Sequence, residues 1–130
     1  MPNANLHDFL ERYVATLNTH EFRRLTEFMH DDLTVNGQPM TRDQVIAGLE
    51  GHIDAVPDLV WRVTASAIEG ERMAACFLNK GTPAKTWFGS KPTGSPVEYS
   101  EHLLHKVRDG RFYELNFLLD IEAVRSQLGV

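Results

Sequence analysis

Apolar residues recur at helical spacing through the first part of the chain and at strand spacing through the rest. Leu6, Phe9, Leu10, Tyr13, Val14 and Leu17 fall on one face of a 3.6-residue period, which predicts an amphipathic helix of about three turns ending near Asn18. "NTHEFRRLTEFMH" predicts a second, shorter helix, with Asn18 as cap, Glu21 closing a capping box, and Phe22, Leu25 and Met29 turned inward. "DDLTVNG" reads as a short strand. Thr41 with Gln44 gives another capping box ahead of a third helix, striped by Val45, Leu49, Ile53 and Val56 and stopped by Pro57. Beyond Pro57 the β-branched and aromatic runs "LVWRVTASAI", "MAACFLNKG", "AKTWFG", "VEYSEHLLHKV" and "FYELNFLLD" are separated by Gly and Pro and predict four or five strands, mostly antiparallel. Ile121, Val124 and Leu128 return to helical spacing for a last short turn.

Helices first and strands second imply an α+β architecture: N-terminal helices packed on a curved, mostly antiparallel sheet that forms a cone with an internal pocket. A length of 130 residues suits one domain, 1–130, with a single core. The net charge of −5 offers no basic surface for a phosphate backbone, so nucleic acid is not an expected partner. The lone Cys76 lies in the apolar run "MAACFL" and fits a reducing compartment. "MPNANLHDFL" has neither the basic nor the apolar region of a leader, and no stretch approaches the ~18 apolar residues of a membrane span. A cytoplasmic protein without a membrane partner is expected.

Candidate chemistry concentrates in "EHLLHKVRDGRFYELNFLLD", residues 101–120, where His102, Asn116 and Asp120 interrupt a leucine- and phenylalanine-rich hairpin. The chain can turn there through two residues, Asp109-Gly110, or through three, Arg108-Asp109-Gly110. The three-residue turn separates polarity better. It places His102, Leu104, Asn116, Leu118 and Asp120 on one face, and Tyr99, Leu103, Val107, Tyr113, Leu115, Phe117 and Leu119 on the other. The first face is expected to look into the pocket beneath the helices. The second, carrying Leu103, Leu115, Phe117 and Leu119, would then be left open, which predicts a homodimer. His102 and His105 lie three apart on a strand and diverge, so they cannot chelate together, and no metal is expected. Glu101 and His102 diverge as well. His52, beside the apolar stripe of the third helix, reads as packing or a helix edge; His7, His20 and His30 fall at helix ends or boundaries. Trp61 and Trp87 read as core or pocket lining. Neither a phosphate-binding glycine loop nor a G-x-S-x-G elbow occurs.

The marks "VNG" (35–37), "VPDL" (56–59), "PTG" (92–94), "EHL" (101–103), "RDGR" (108–111), Asp120 and "QLG" (127–129) fall in an order that resembles the SnoaL-like polyketide and ester cyclases, a branch of the nuclear-transport-factor-like, cystatin-like cone folds. The resemblance implies a pocket with no metal or organic cofactor and an aspartate at the end of the last strand as general acid/base. Asp120 occupies that place, with His102 as the helper on the preceding strand and Asn36 after the second helix. Gly81-Thr82-Pro83 stands where many members have Gly-Thr-His, and Asn116 where they have Trp. The expected function is a small acid/base enzyme acting on an apolar, carbonyl-bearing small molecule, by cyclisation, isomerisation or lactone chemistry. Asp120 would move the proton, His102 and Asn36 would bond a developing oxyanion, and Asn116, Leu104, Leu118, Trp61 and Trp87 would line the site. The alternative is a non-catalytic binding or dimerisation module of the same fold, with Asp120 capping the helix that begins "DIEA". An epoxide hydrolase would need a carboxylate, an Asn and an Arg around a water, which these residues do not assemble.

Overall fold

A computed structural model of the chain describes residues 5–129, so the first four residues of the stretch read for a leader lie outside it. Helix α1 (Leu6–Thr19) begins where the Asn5 side chain accepts a hydrogen bond from the Asp8 amide at 3.0 Å. It buries Leu6, Phe9, Leu10, Tyr13 and Leu17, and it ends at His20 in the left-handed conformation (φ 63°). The second helix expected from Asn18 forms only as a 3₁₀ turn, Phe22–Glu27. Asn18 is committed elsewhere: its side-chain amide accepts from the Trp61 backbone N–H (2.8 Å) and donates to the Trp61 carbonyl (2.9 Å). That clamp fixes the end of α1 to the entry of the sheet, and Glu21 caps nothing.

Strand β1 (Met29–Val35) returns as β2 (Gln38–Thr41) through Asn36 and Gly37, both left-handed at φ 50° and 84°. The sequence pattern does not reveal β2, because it is a four-residue edge strand carrying Pro39. Helix α2 (Arg42–Ala55) follows, and here the expected capping box is complete: the Gln44 amide donates to Thr41 Oγ1 (3.2 Å) and the Thr41 amide to Gln44 Oε1 (2.9 Å). Only Ile46 and Ala55 of α2 are buried, while Val45, Leu49 and Ile53 stay partly open.

The remaining strands are β3 (Val63–Glu69), β4 (Arg72–Gly81), β5 (Val97–Arg108), β6 (Arg111–Leu115) and β7 (Phe117–Leu119), and helix α3 (Ile121–Gln127) closes the chain. The curved, unclosed sheet runs β2-β1-β6-β5-β4-β3, with β7 also paired to β5. All pairings are antiparallel except β1 with β6. The expected strand at "AKTWFG" is instead a tight turn, with Phe88 and Gly89 left-handed between the bridged residues Trp87 and Ser90. The helices cover the concave face over an aromatic cluster in which Phe9 and Tyr13 meet Phe28 and Phe112 edge-on at 5.0–5.7 Å.

The β5–β6 turn uses the two residues Asp109 and Gly110, so Arg108 pairs with Arg111 and the three-residue turn does not form. An irregularity between Val107 and Lys106 then shifts the register by one residue, and farther along His102 pairs with Leu118 and Leu103 with Phe117. The expected grouping of His102, Leu104 and Leu118 therefore occurs, by another route. Its orientation is the reverse of the one expected. That face looks outward, with Leu104 42% and Leu118 77% exposed, while Tyr99, Leu103, Val107 and Leu115 lie buried beneath the helices. Burying four large side chains of the second face gains more than burying the mixed first face, at roughly 25 cal/mol per Å² of apolar surface.

Candidate functional site

Between α1, α2 and the concave sheet lies a cavity of about 240 Å³. Residues 45, 49 and 52 of α2 face it at helical spacing, which explains why the apolar stripe of that helix is only partly covered. Leu17, Leu59, Trp61, Phe77, Leu103 and Phe117 form apolar walls. Strand alternation brings four consecutive inward positions of β5 to the same space: Tyr99, Glu101, Leu103 and His105. No Lys or Arg is among the lining residues.

Glu101 is the carboxyl of this wall. Asn79, fully buried at the neighbouring inward position of β4, donates from Nδ2 to Glu101 Oε1 at 2.8 Å. Burial disfavours the charged carboxylate and raises its pKa from 4.5 to about 7, with the Asn79 bond acting in the opposite direction. Burial, reinforced by the charge of Glu101, also raises the pKa of the Tyr13 and Tyr99 phenols, which stay protonated and able to donate.

Two histidines face the same space in fixed tautomers. His105, 3% exposed, accepts the Asn116 backbone N–H at Nδ1 (3.2 Å), so its neutral ring carries the proton on Nε2. Burial lowers its pKa to about 3. His52 on α2 accepts the indole N–H of Trp87 at Nδ1 (3.1 Å), and burial lowers its pKa as well. Glu101 and His105 lie four residues apart on an extended strand, a Cα separation of about 13 Å, so no single small group reaches both.

The residues expected from the sequence divide between this cavity and the rest of the fold. Trp61 lines the cavity, and Trp87 is buried behind His52. His102, Leu104 and Leu118 lie on the opposite face of the sheet, outside it. Asp120 is exposed at the start of α3, where its carboxylate accepts the Ala123 amide at 3.0 Å as a helix cap. Asn36 is the left-handed turn residue of β1–β2; its amide donates to the Leu115 carbonyl (2.8 Å) and its side-chain oxygen accepts from the Phe117 amide (2.8 Å). Asn116 interrupts the last strand between β6 and β7, where its side chain donates to the Leu104 carbonyl and to Glu114. Asn36 and Asn116 thus position pocket residues without lining the pocket. Among the described residues no three His, Cys, Asp or Glu side chains gather as metal ligands, and His102 and His105 diverge. No helix among them is long and apolar enough to cross a membrane.

Sequence reasoning missed Glu101, His105 and His52 as site residues. The signal for the first two was available: Glu101 and His105 alternate with Tyr99, Leu103 and Val107, so a polar pair shares the most apolar face of the longest strand.

An open, curved sheet wrapped under helices around an apolar chamber defines the α+β cone-fold class. The family model described as SnoaL-like polyketide cyclase matches residues 7–128, and the chain belongs to that family. It is similar to the crystal structure of a SnoaL-like polyketide cyclase from Agrobacterium tumefaciens, at TM-score 0.88 and 25% identity over 95% of this chain and 98% of that one. IdmH, a putative polyketide cyclase from Streptomyces antibioticus, shares the fold at TM-score 0.86 and 24% identity, covering 95% and 98% of the two chains. TsrD from Streptomyces laurentii shares it at TM-score 0.88 and 18% identity, covering 99% and 98%. No curated protein matches the chain.

Proposed function

We propose that the chain, as one domain, is a cofactor-independent acid/base enzyme acting on an apolar carbonyl compound by cyclisation, isomerisation or lactone chemistry, with Glu101 as the group that moves the proton. The observation that carries this reading is a carboxyl on the wall of an apolar cavity, raised by burial to about 7. A group with that pKa is available both as base and as conjugate acid near neutral pH. Ionised Glu101 removes a proton from the carbon beside the ligand carbonyl. The enolate oxygen accepts a hydrogen bond from a neutral donor beside Glu101, the Tyr13 or Tyr99 hydroxyl, and protonated Glu101 returns the proton at the end. Out of bulk water such a bond is stronger.

The test is α-deuterium exchange of 2-tetralone, followed by NMR. Glu101→Gln keeps the acceptor for Asn79 and removes the base, and exchange should fall on the order of 10² to 10⁴-fold. Exchange at the wild-type rate would leave the cavity a binding site only.

We further propose that the chain pairs with a second copy through the outer sheet face, where Leu104 and Leu118 are open, and not through Leu103, Leu115, Phe117 and Leu119, which the helices and cavity occupy. Light scattering should give a dimer mass for the wild type and a monomer mass for Leu118→Asp; a wild-type monomer at micromolar concentration would end this proposal. The free, half-buried Cys76 supports a cytoplasmic setting, which cell fractionation tests.

A further inference from the structure

The cavity wall is electrically one-sided. Glu101 is its carboxyl, both of its histidines are held neutral by burial, and no lysine or arginine lines it. A ligand carboxylate would enter beside Glu101 with no counter-charge, and two carboxyls in one desolvated site cannot both ionise. Size sets a second limit. An apolar cavity of ~150 Å³ accepts benzene. The 240 Å³ here leaves room for one or two fused rings.

We infer that the ligand of this cavity is an uncharged carbonyl compound of one or two rings, with acids excluded by the charge of the wall and four-ring skeletons by its volume. The inference rests on the proposal that the cavity is the substrate site, but not on Glu101 acting as the base. The flat surfaces of Trp61, Phe77 and Phe117 suit a ring, and the donors spread along β5 and α2 suit neutral oxygen acceptors.

Tryptophan fluorescence titration of the full chain tests it with four probes: neutral 2-tetralone, anionic 2-naphthoate, cationic 2-naphthylmethylamine and four-ring tetracene-5,12-dione. At about pH 8, tetralone should saturate, naphthoate should bind at least about tenfold more weakly, and the tetracenedione should not bind. Glu101→Gln should bring naphthoate to within about threefold of tetralone by removing the like charge. Lowering the pH of the wild type to about 5.5, where Glu101 is protonated, should narrow the same gap without any substitution. Equal binding of naphthoate and tetralone to the wild type, or tight binding of the tetracenedione, would overturn the inference. So would an absence of tetralone binding, or an amine that binds more tightly than tetralone, since Glu101 would then be a partner for a cation. If the selectivity holds while Glu101→Gln leaves deuterium exchange unchanged, the acid/base reading fails and this one stands.

Discussion

Glu101→Gln should change the pH dependence of stability as well as activity, in a direction opposite to most carboxylate substitutions. In the unfolded chain Glu101 titrates near 4.5, and in the folded chain near 7. Between those values the native state holds a proton that the unfolded state has released, so stability falls as pH rises and the loss is complete above about 7. A shift from 4.5 to about 7 corresponds to about 3 kcal/mol at 1.36 kcal/mol per pKa unit. Gln at 101 keeps the Asn79 bond through its own Oε1 and carries no charge. The variant should therefore match the wild type near pH 4 and exceed it by up to about 3 kcal/mol near pH 8, with the difference growing across the interval. His105 has the reverse sign. Its pKa falls from 6.5 to about 3, so its contribution is present above 6.5 and is lost as the pH falls toward 3. Between 4.5 and 6.5 the two slopes oppose each other, and wild-type stability should be nearly flat there. Removing Glu101 should expose the acid-sensitive slope of His105. Urea unfolding at half-unit pH steps measures both curves. A pH-independent difference between variant and wild type would mean that Glu101 is not desolvated, and the proton-transfer reading would lose its basis.

Asp120→Asn should leave stability unchanged, whereas Asp120→Ala should cost about 1 kcal/mol in urea unfolding, because Asn caps α3 as well as Asp does. Asn36→Ala should cost about 1 to 3 kcal/mol, since it strains a left-handed position and leaves the Phe117 amide without its acceptor; Asn36→Gly should cost less because only the second loss remains. Trp87→Phe removes the donor that holds His52 in one tautomer. Imidazole ¹⁵N NMR should show Nε2–H in the wild type and a mixture in the variant, with about 1 kcal/mol lost.

What could be read from the sequence was local. Helix α1, the capping box of α2, the long strands β4 and β5 and the α3 cap each depend on periodicity or on residues within a turn of one another. What could not be read depends on distant partners. Asn18 looks like a helix cap but is claimed by Trp61, and β2 exists only because β1 offers it an edge. The hairpin pattern correctly grouped His102, Leu104 and Leu118, but a strand carries no mark of which face the helices will cover. Residue type favoured the visible polar trio, and the covering helices chose the more apolar face, which carried Glu101 and His105 inside with it.

The parallel pairing of β1 with β6 joins the N-terminal third of the chain to its C-terminal third, and β6 in turn flanks β5. Such non-local pairing is slow to form because a long loop must close before it is rewarded, whereas the β4–β5 ladder connects nearer segments and can form earlier. On the β4–β5 hairpin alone, without the helices over it, Glu101 would be an ordinary carboxylate. The proton affinity of Glu101 thus depends on cover supplied from the other end of the chain, where Tyr13 of α1 shares its cavity, and removing that cover would return it to an ordinary carboxylate.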